Sequence, residues 1–181
     1  MEQSAPNSTK VATKWALAYA VIAIAITYVI EIAGMDINSP VKYVTYVFLL
    51  TFLFLAQKEY KTQLGGYIKF GEAFSVAIKY GLIVGIILGV FIYVYLTFLS
   101  PEVLSKSIEA QRDAMAAKGL TPDQVDQGIN IAKKYGGIFG AFGALIMYII
   151  LGVIFGLIGA AILKKERSAY DPEQAASDPT V

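Results

Sequence analysis

Four uncharged apolar runs, Trp15 to Ile30, Tyr43 to Gln57, Tyr80 to Pro101 and Tyr135 to Leu163, alternate with polar stretches along the chain. The first two fall short of the ~20 residues a bilayer-spanning helix needs. Lys14, Glu31, Lys42 and Lys58 flank them, however, and long side chains there can reach the headgroups. A backbone facing lipid must satisfy its own hydrogen bonds, so the strand-like residues of YVTYVFLLTFLF are expected to be helical like the rest. The pattern predicts an all-α integral membrane four-helix bundle with spans at about 13–33, 41–57, 73–99 and 135–163. The first run is too long for a signal-peptide core and lacks a small-x-small cleavage site after it, so it reads as a retained helix.

The 100–134 stretch between the last two spans is patterned as a helical hairpin. Ser100 and Pro101 stand as N-cap and first residue of one helix, and Val103, Leu104, Ile108, Gln111 and Met115 follow at helical spacing as far as a C-capping Gly119. Thr121, Pro122 and Gln124 then form a T-x-x-Q capping box, Leu120 and Val125 are placed for a hydrophobic staple, and Val125, Ile129 and Ala132 continue one apolar face. Packing of the two short helices on each other or on the bundle is expected; a solvated connector is the plainer alternative. The tails, 1–12 and 166–181, are polar with no apolar period and are expected to be disordered.

Glycines recur in phase within the apolar runs. Gly81, Gly85 and Gly89 are four residues apart; Gly136, Gly140, Gly143 or Ala144, Gly152, Gly156 and Ala160 follow in the last run. In water each interior glycine would cost a helix about 1 kcal/mol relative to alanine. In lipid, where burial cannot drive helix association, small residues permit the close backbone approach that takes its place. Gly81, Gly85, Gly89, Gly136, Gly140, Gly152 and Gly156 are therefore the expected packing residues. The first run offers Ala16, Ala20, Ala23 and Thr27, and the second only Thr45, Thr51 and Ala56. Helices one, three and four are expected in closest contact, with helix two at the periphery. KYGxIxG occurs at 79–85 and again at 134–140, with Tyr93 and Tyr148 at the same offset, so an inverted internal repeat stands beside chance as an explanation.

Composition agrees with a membrane protein: 56 % of the 181 residues are hydrophobic and 16 % charged, where an ordinary soluble domain carries about 25 % charged residues. Fifteen Lys and Arg against 14 Asp and Glu leave no basic face for nucleic acid. Cysteine and histidine are absent, which removes thiol and imidazole nucleophiles, disulfides and the usual zinc sites. No catalytic, metal-binding or cofactor-binding residue is expected, and neither is enzymatic activity. Lys10, Lys14, Lys58, Lys61, Lys69, Lys79, Lys164, Lys165 and Arg167 on one side outnumber Lys42, Lys106, Arg112, Lys118, Lys133 and Lys134 on the other, which directs both termini to the cytoplasm. Glu31 is the ionisable residue nearest the hydrocarbon, and snorkelling to water is its simplest role. The hydroxyls of Tyr28, Tyr46, Tyr93, Tyr95 and Tyr148 could line a polar path, but most of these tyrosines read as interfacial belt residues.

The loop QKEYKTQLGGYIKFGEAF breaks at Gly65 and Gly66 and then alternates apolar and charged residues. Tyr67, Lys69, Phe70, Glu72 and Phe74 are the candidate interfacial or partner site. GGYIKFGEAF, a glycine-bearing third helix, the segment SPEVLSKSIEAQRDAMAAKGLTPDQVDQG and the ending AAILKKE together resemble domain-of-unknown-function family 4199, over Lys14 to Glu166. GGY-x-x-FG-x-AF and AAILKK are the most specific parts. The resemblance implies a small bacterial inner-membrane protein with four spans and carries no activity or catalytic residue. The expected function is a non-enzymatic interaction or assembly element using an extracytoplasmic hairpin, with a small transporter or channel subunit as the alternative. Expected partners are the lipid bilayer and either another protein or a second copy of the chain.

Overall fold

A computed structural model describes residues 5–34 and 42–166. The chain is all-helical, as the apolar runs predict: α1 Ser8–Ile32, α2 Lys42–Gln63, α3 Phe70–Val94 continuing into a π-helical turn Tyr95–Leu99, α4 Pro101–Ala117 and α5 Pro122–Leu163. Three of these are long and apolar enough to cross a membrane, namely α1, α3 with its π turn, and α5. The second apolar run is not among them, because the uncharged stretch from Tyr43 to Gln57 is short and the remainder of α2 is polar, with Lys58, Glu59 and Lys61.

The first helix begins at Ser8 rather than near residue 13. Asn7 Oδ1 accepts hydrogen bonds from the backbone N–H groups of Thr9 and Lys10, both at 3.0 Å, which satisfies two orphan donors at the helix start. Val11 and Ala12 are buried, so the expected 1–12 tail is corrected: residues 8–12 are structured. Residues 1–4 and 167–181 of the two expected tails, Arg167 among them, lie outside the described residues, as does the 35–41 part of the α1–α2 connection. Gly65 and Gly66, at φ 76° and 86°, supply the left-handed turn between α2 and α3, and Gly119, at φ 77°, ends α4.

The sequence pattern divides 121–163 into a short helix and a span. The structure joins them into one helix of 42 residues. No proline interrupts the join, and Gly136 and Gly137 are held against Leu104 and Thr97 rather than turned into a break. At ~1.5 Å per residue α5 is about 63 Å long, twice the ~30 Å hydrocarbon thickness, so its first turns extend beyond a bilayer. Those turns carry α4, through a buried seam of Ile108, Val125 and Ile129 flanked by Leu104, Met115 and Ala132.

The longest contact is the antiparallel pair of α3 and α5. Gly81 lies against Tyr148 and Gly152, Gly85 against Leu145, and Gly89 against Ala141. Towards the other end of the pair the contact is through side chains, Gly137 lying against those of Thr97 and Tyr93, whereas Gly81 meets the backbone of Tyr148 and Gly152. α1 packs on α3 and α2, and reaches α5 through long side chains such as Tyr19, whose ring centre is 6.2 Å from that of Tyr148. The expected order of contact is therefore changed: α3 is central, and α2 touches α1, α3 and α5. Only the first turns of α2, before Leu49, are peripheral, for Leu49, Leu53, Ala56 and Gln57 are all buried.

Candidate functional site

The second half of α1 presents Ala23, Ile26, Thr27, Ile30, Glu31 and Gly34 on one face, at the three- and four-residue spacing of a helix stripe. Opposite stand Leu88, Phe91, Ile92, Tyr95 and Leu96 of α3 and its π turn. These two walls, with Thr45 of α2, Tyr148 of α5 and Glu102, Val103 and Lys106 of α4, enclose a cavity of about 890 Å³. From Ala23 to Glu31 it follows α1 for about 12 Å, at ~1.5 Å per residue, and it reaches Gly34 just past the helix end. Among the described residues, none with a charge lies at its deep end by Ala23, Leu88 and Tyr148, and Glu31, Glu102 and Lys106 lie at the α4 end.

Glu31 does not simply reach for water. The π turn, closed by a hydrogen bond from Ser100 N–H to Tyr95 O at 2.8 Å, inserts an extra residue before α4 and turns Ser100 inward. Ser100 occupies the N-cap position of α4 as expected, but its hydroxyl donates to Glu31 Oε1 instead of capping that helix. Ser100 is 2 % exposed, so the carboxylate is held from the protein side. Glu102 and Lys106 face the same rim one helical turn apart, and among the described residues Lys106 closes to ion-pair distance with neither carboxylate.

Below the cavity the bundle is filled. Tyr19 and Tyr80, both fully buried, stand with ring centres 6.4 Å apart, and Tyr80 donates to the Leu49 carbonyl at 3.2 Å. Val76, Ala77 and Val84 of α3 close around them with Ala12, Ala16 and Ala20 of α1. The space is thus a pocket open towards α4.

The opposite end is tied by polar contacts. Gln57, fully buried on α2, donates through Nε2 to Ala73 O of α3 and Gly156 O of α5, each at 3.1 Å. Its Oε1 has no hydrogen-bond partner and lies where a side chain at residue 159 would project, so only glycine fits there. Lys61 donates to Leu163 O at 2.8 Å, Lys14 pairs with Glu59 at 2.7 Å, and Trp15 Nε1 donates to the same carboxylate oxygen at 2.7 Å. Ile68 and Lys165 exchange backbone hydrogen bonds of 2.9 and 3.0 Å. The two sequence signatures, GGYIKFGEAF and AAILKKE, are therefore one structural unit.

The interfacial candidates divide by role. Glu72 Oε2 accepts from Lys69 N–H at 2.8 Å and caps α3, while Phe74 packs on the cluster of Ile68, Ala73, Ala160 and Leu163. Phe70 is exposed and stacks on Phe74 with ring centres 6.1 Å apart. Tyr67, Lys69 and Glu72 share a 330 Å³ pocket with Lys165, whose Nζ lies 5.1 Å from the Tyr67 ring centre. Among the glycines, Gly81, Gly85, Gly89, Gly152 and Gly156 lie in the α3–α5 contact, Gly140 joins it against Ile92 of α3 and Leu96 of the π turn, and Gly136 instead faces Leu104 of α4. Gly137 and Gly159, absent from the expected set, are as tightly held, and Gly143 meets nothing within 4 Å. The cavity itself was not expected; its traces in the sequence are Glu31, an acid directly behind an uncharged run, and the tyrosines Tyr95 and Tyr148, which line it rather than standing in an interfacial belt. Among the described residues no group of three or more acidic side chains could hold a metal ion.

Comparison with curated proteins and with solved structures returns no match for this chain. A family described as "Protein of unknown function (DUF4199)" matches residues 14–165, which takes in both walls of the cavity, α4, and the joined ends of the bundle. With most of its length matched, the chain belongs to the DUF4199 family.

Proposed function

We propose that the chain is a non-enzymatic, multi-pass protein of the bacterial inner membrane that acts as an interaction or assembly element through α4 and the first turns of α5. In this reading α2 is a fourth span, both termini are cytoplasmic, the glycine faces of α3 and α5 are its internal packing surface, and α4 with the start of α5 is an extracytoplasmic hairpin. One observation carries it. The hairpin satisfies its own apolar seam at Ile108, Val125 and Ile129, yet keeps Glu109, Arg112, Asp113, Lys118, Asp123 and Asp126 exposed beyond the bilayer-length part of α5. A pair of helices that is already packed and still projects a mixed-charge surface is suited to recognition rather than to completing the core.

A small transporter or channel subunit is the second reading, and the cavity favours it. Against it, no ionisable side chain lies below Glu31 in the α1 and α3 walls, and aromatic rings fill the path from there to the other end. A photo-reactive residue placed at Arg112 and, separately, at Leu17 distinguishes the readings in native membranes. Arg112 is expected to give a discrete crosslinked complex that Asp126→Lys weakens, and Leu17, exposed on α1, only lipid adducts. If Arg112, Glu109 and Asp113 all fail to crosslink while a purified chain carries solute across proteoliposomes, the interaction reading is wrong.

A further inference from the structure

We propose that the cavity beside Glu31 binds one zwitterionic phospholipid bearing a primary ammonium headgroup, with an acyl chain lying along α1. The depth is the first reason. About 12 Å along α1, continued to Gly34 past the helix end, is most of the ~15 Å that one leaflet contributes to a ~30 Å hydrocarbon core. The 890 Å³ space is within the ~300–1,000 Å³ range of small-molecule sites. Its floor, at Ala23, Leu88 and Tyr148, carries no charged residue among those described and is mostly apolar surface.

The rim selects the headgroup. Glu31 and Glu102 present carboxylates and Lys106 an ammonium, so both signs are offered within one opening. An ammonium with three N–H donors can bond the two carboxylates while the phosphate beside it pairs with Lys106. An anionic lipid would satisfy Lys106 but bring its charge against two carboxylates, and a neutral diacylglycerol would offer no charge to any of the three groups. A quaternary ammonium has no N–H donor and is better held by a cage of aromatic faces. The hydroxyl of buried Ser100 fixes the Glu31 carboxylate in place, so the rim is organised before the ligand arrives. The inference needs the chain to be in a membrane but depends on neither its orientation nor the role of α4 as a partner surface, so it stands or falls separately from those.

Absence of native cysteine makes the test direct. Thr27→Cys places a thiol in the cavity of the full-length chain, and Val21→Cys places one on the exposed side of α1. Each is reacted with a membrane-permeant maleimide in detergent micelles doped with dioleoyl phosphatidylethanolamine or, in parallel, dioleoyl phosphatidylglycerol. Phosphatidylethanolamine is expected to slow Thr27→Cys labelling about tenfold relative to phosphatidylglycerol, the equivalent of one ~1.4 kcal/mol charge-assisted contact. Val21→Cys should react equally in both. Lys106→Glu, on the exposed face of α4, should abolish the difference without changing the melting temperature, and Lys106→Arg should retain it. Equal Thr27→Cys rates in the two lipids, the same slowing at Val21→Cys, or a difference that survives Lys106→Glu would each overturn the proposal.

Discussion

Gly81 and Gly143 look alike in the sequence, each a glycine in an apolar helix near others of its kind. Their surroundings are opposite. A Cβ on Gly81 would come within 2.8 Å of the Tyr148 carbonyl oxygen and 3.2 Å of Gly152 Cα, both backbone atoms that cannot swing aside. On Gly143 it would meet nothing within 4 Å. Gly81→Ala should therefore destabilise the protein, by the ~1–3 kcal/mol typical of overpacking, as α3 and α5 are forced apart. Gly143→Ala should stabilise it by up to about 1 kcal/mol, the helix-propensity difference alone. Thermal unfolding in detergent measures both, and melting temperatures that move in the same direction would refute the assignment of Gly81 to a close helix contact. The same limit applies to Glu31 and Gln57: the sequence places each at the edge of an apolar run, but only the fold gives one a serine donor and the other two carbonyl acceptors.

At the scale of elements, local chemistry was largely readable. The capping box is in place, with Thr121 N–H donating to Gln124 Oε1 at 3.0 Å and Gln124 N–H to Thr121 Oγ1 at 3.4 Å. Thr121→Ala removes one of these acceptors at a cost of about 1 kcal/mol. Amide hydrogen exchange should then quicken over residues 122–128 and stay unchanged in the rest of α5, because fraying is confined to the end of a helix this long. Protection unaltered over 122–128 would mean that Thr121 does not hold the helix start. Where an element differed from expectation, a neighbour decided it. α1 starts early because Val11 and Ala12 find a buried site, and Ser100 leaves its cap because Glu31 is within reach.

For the whole molecule, the ends differ in charge, and this sets the prediction on orientation. Lys14, Lys61, Lys79 and Lys165 converge at the end where Ile68 bridges to the residues after α5, while α4 and the start of α5 form the other. If the basic end is cytoplasmic, Ser105→Cys, on an exposed face of α4, reacts with an impermeant thiol reagent added outside the inner membrane, and Thr62→Cys reacts only after the membrane is opened. The reverse pattern would invert the topology.

Helicity, the apolar runs, the Thr121 capping box and the breaks at Gly65, Gly66 and Gly119 belong to the sequence alone. Each depends on the solvent or on residues within one turn, and these interactions are written in the local order of the chain. The central position of α3, the reach of α2 to three neighbours, the union of GGYIKFGEAF with AAILKKE and the cavity beside Glu31 were decided by tertiary structure. They join residues far apart in the chain, such as Gln57 with Gly156 or Glu31 with Ser100, and which apolar face meets which is settled by shape when every face is equally apolar.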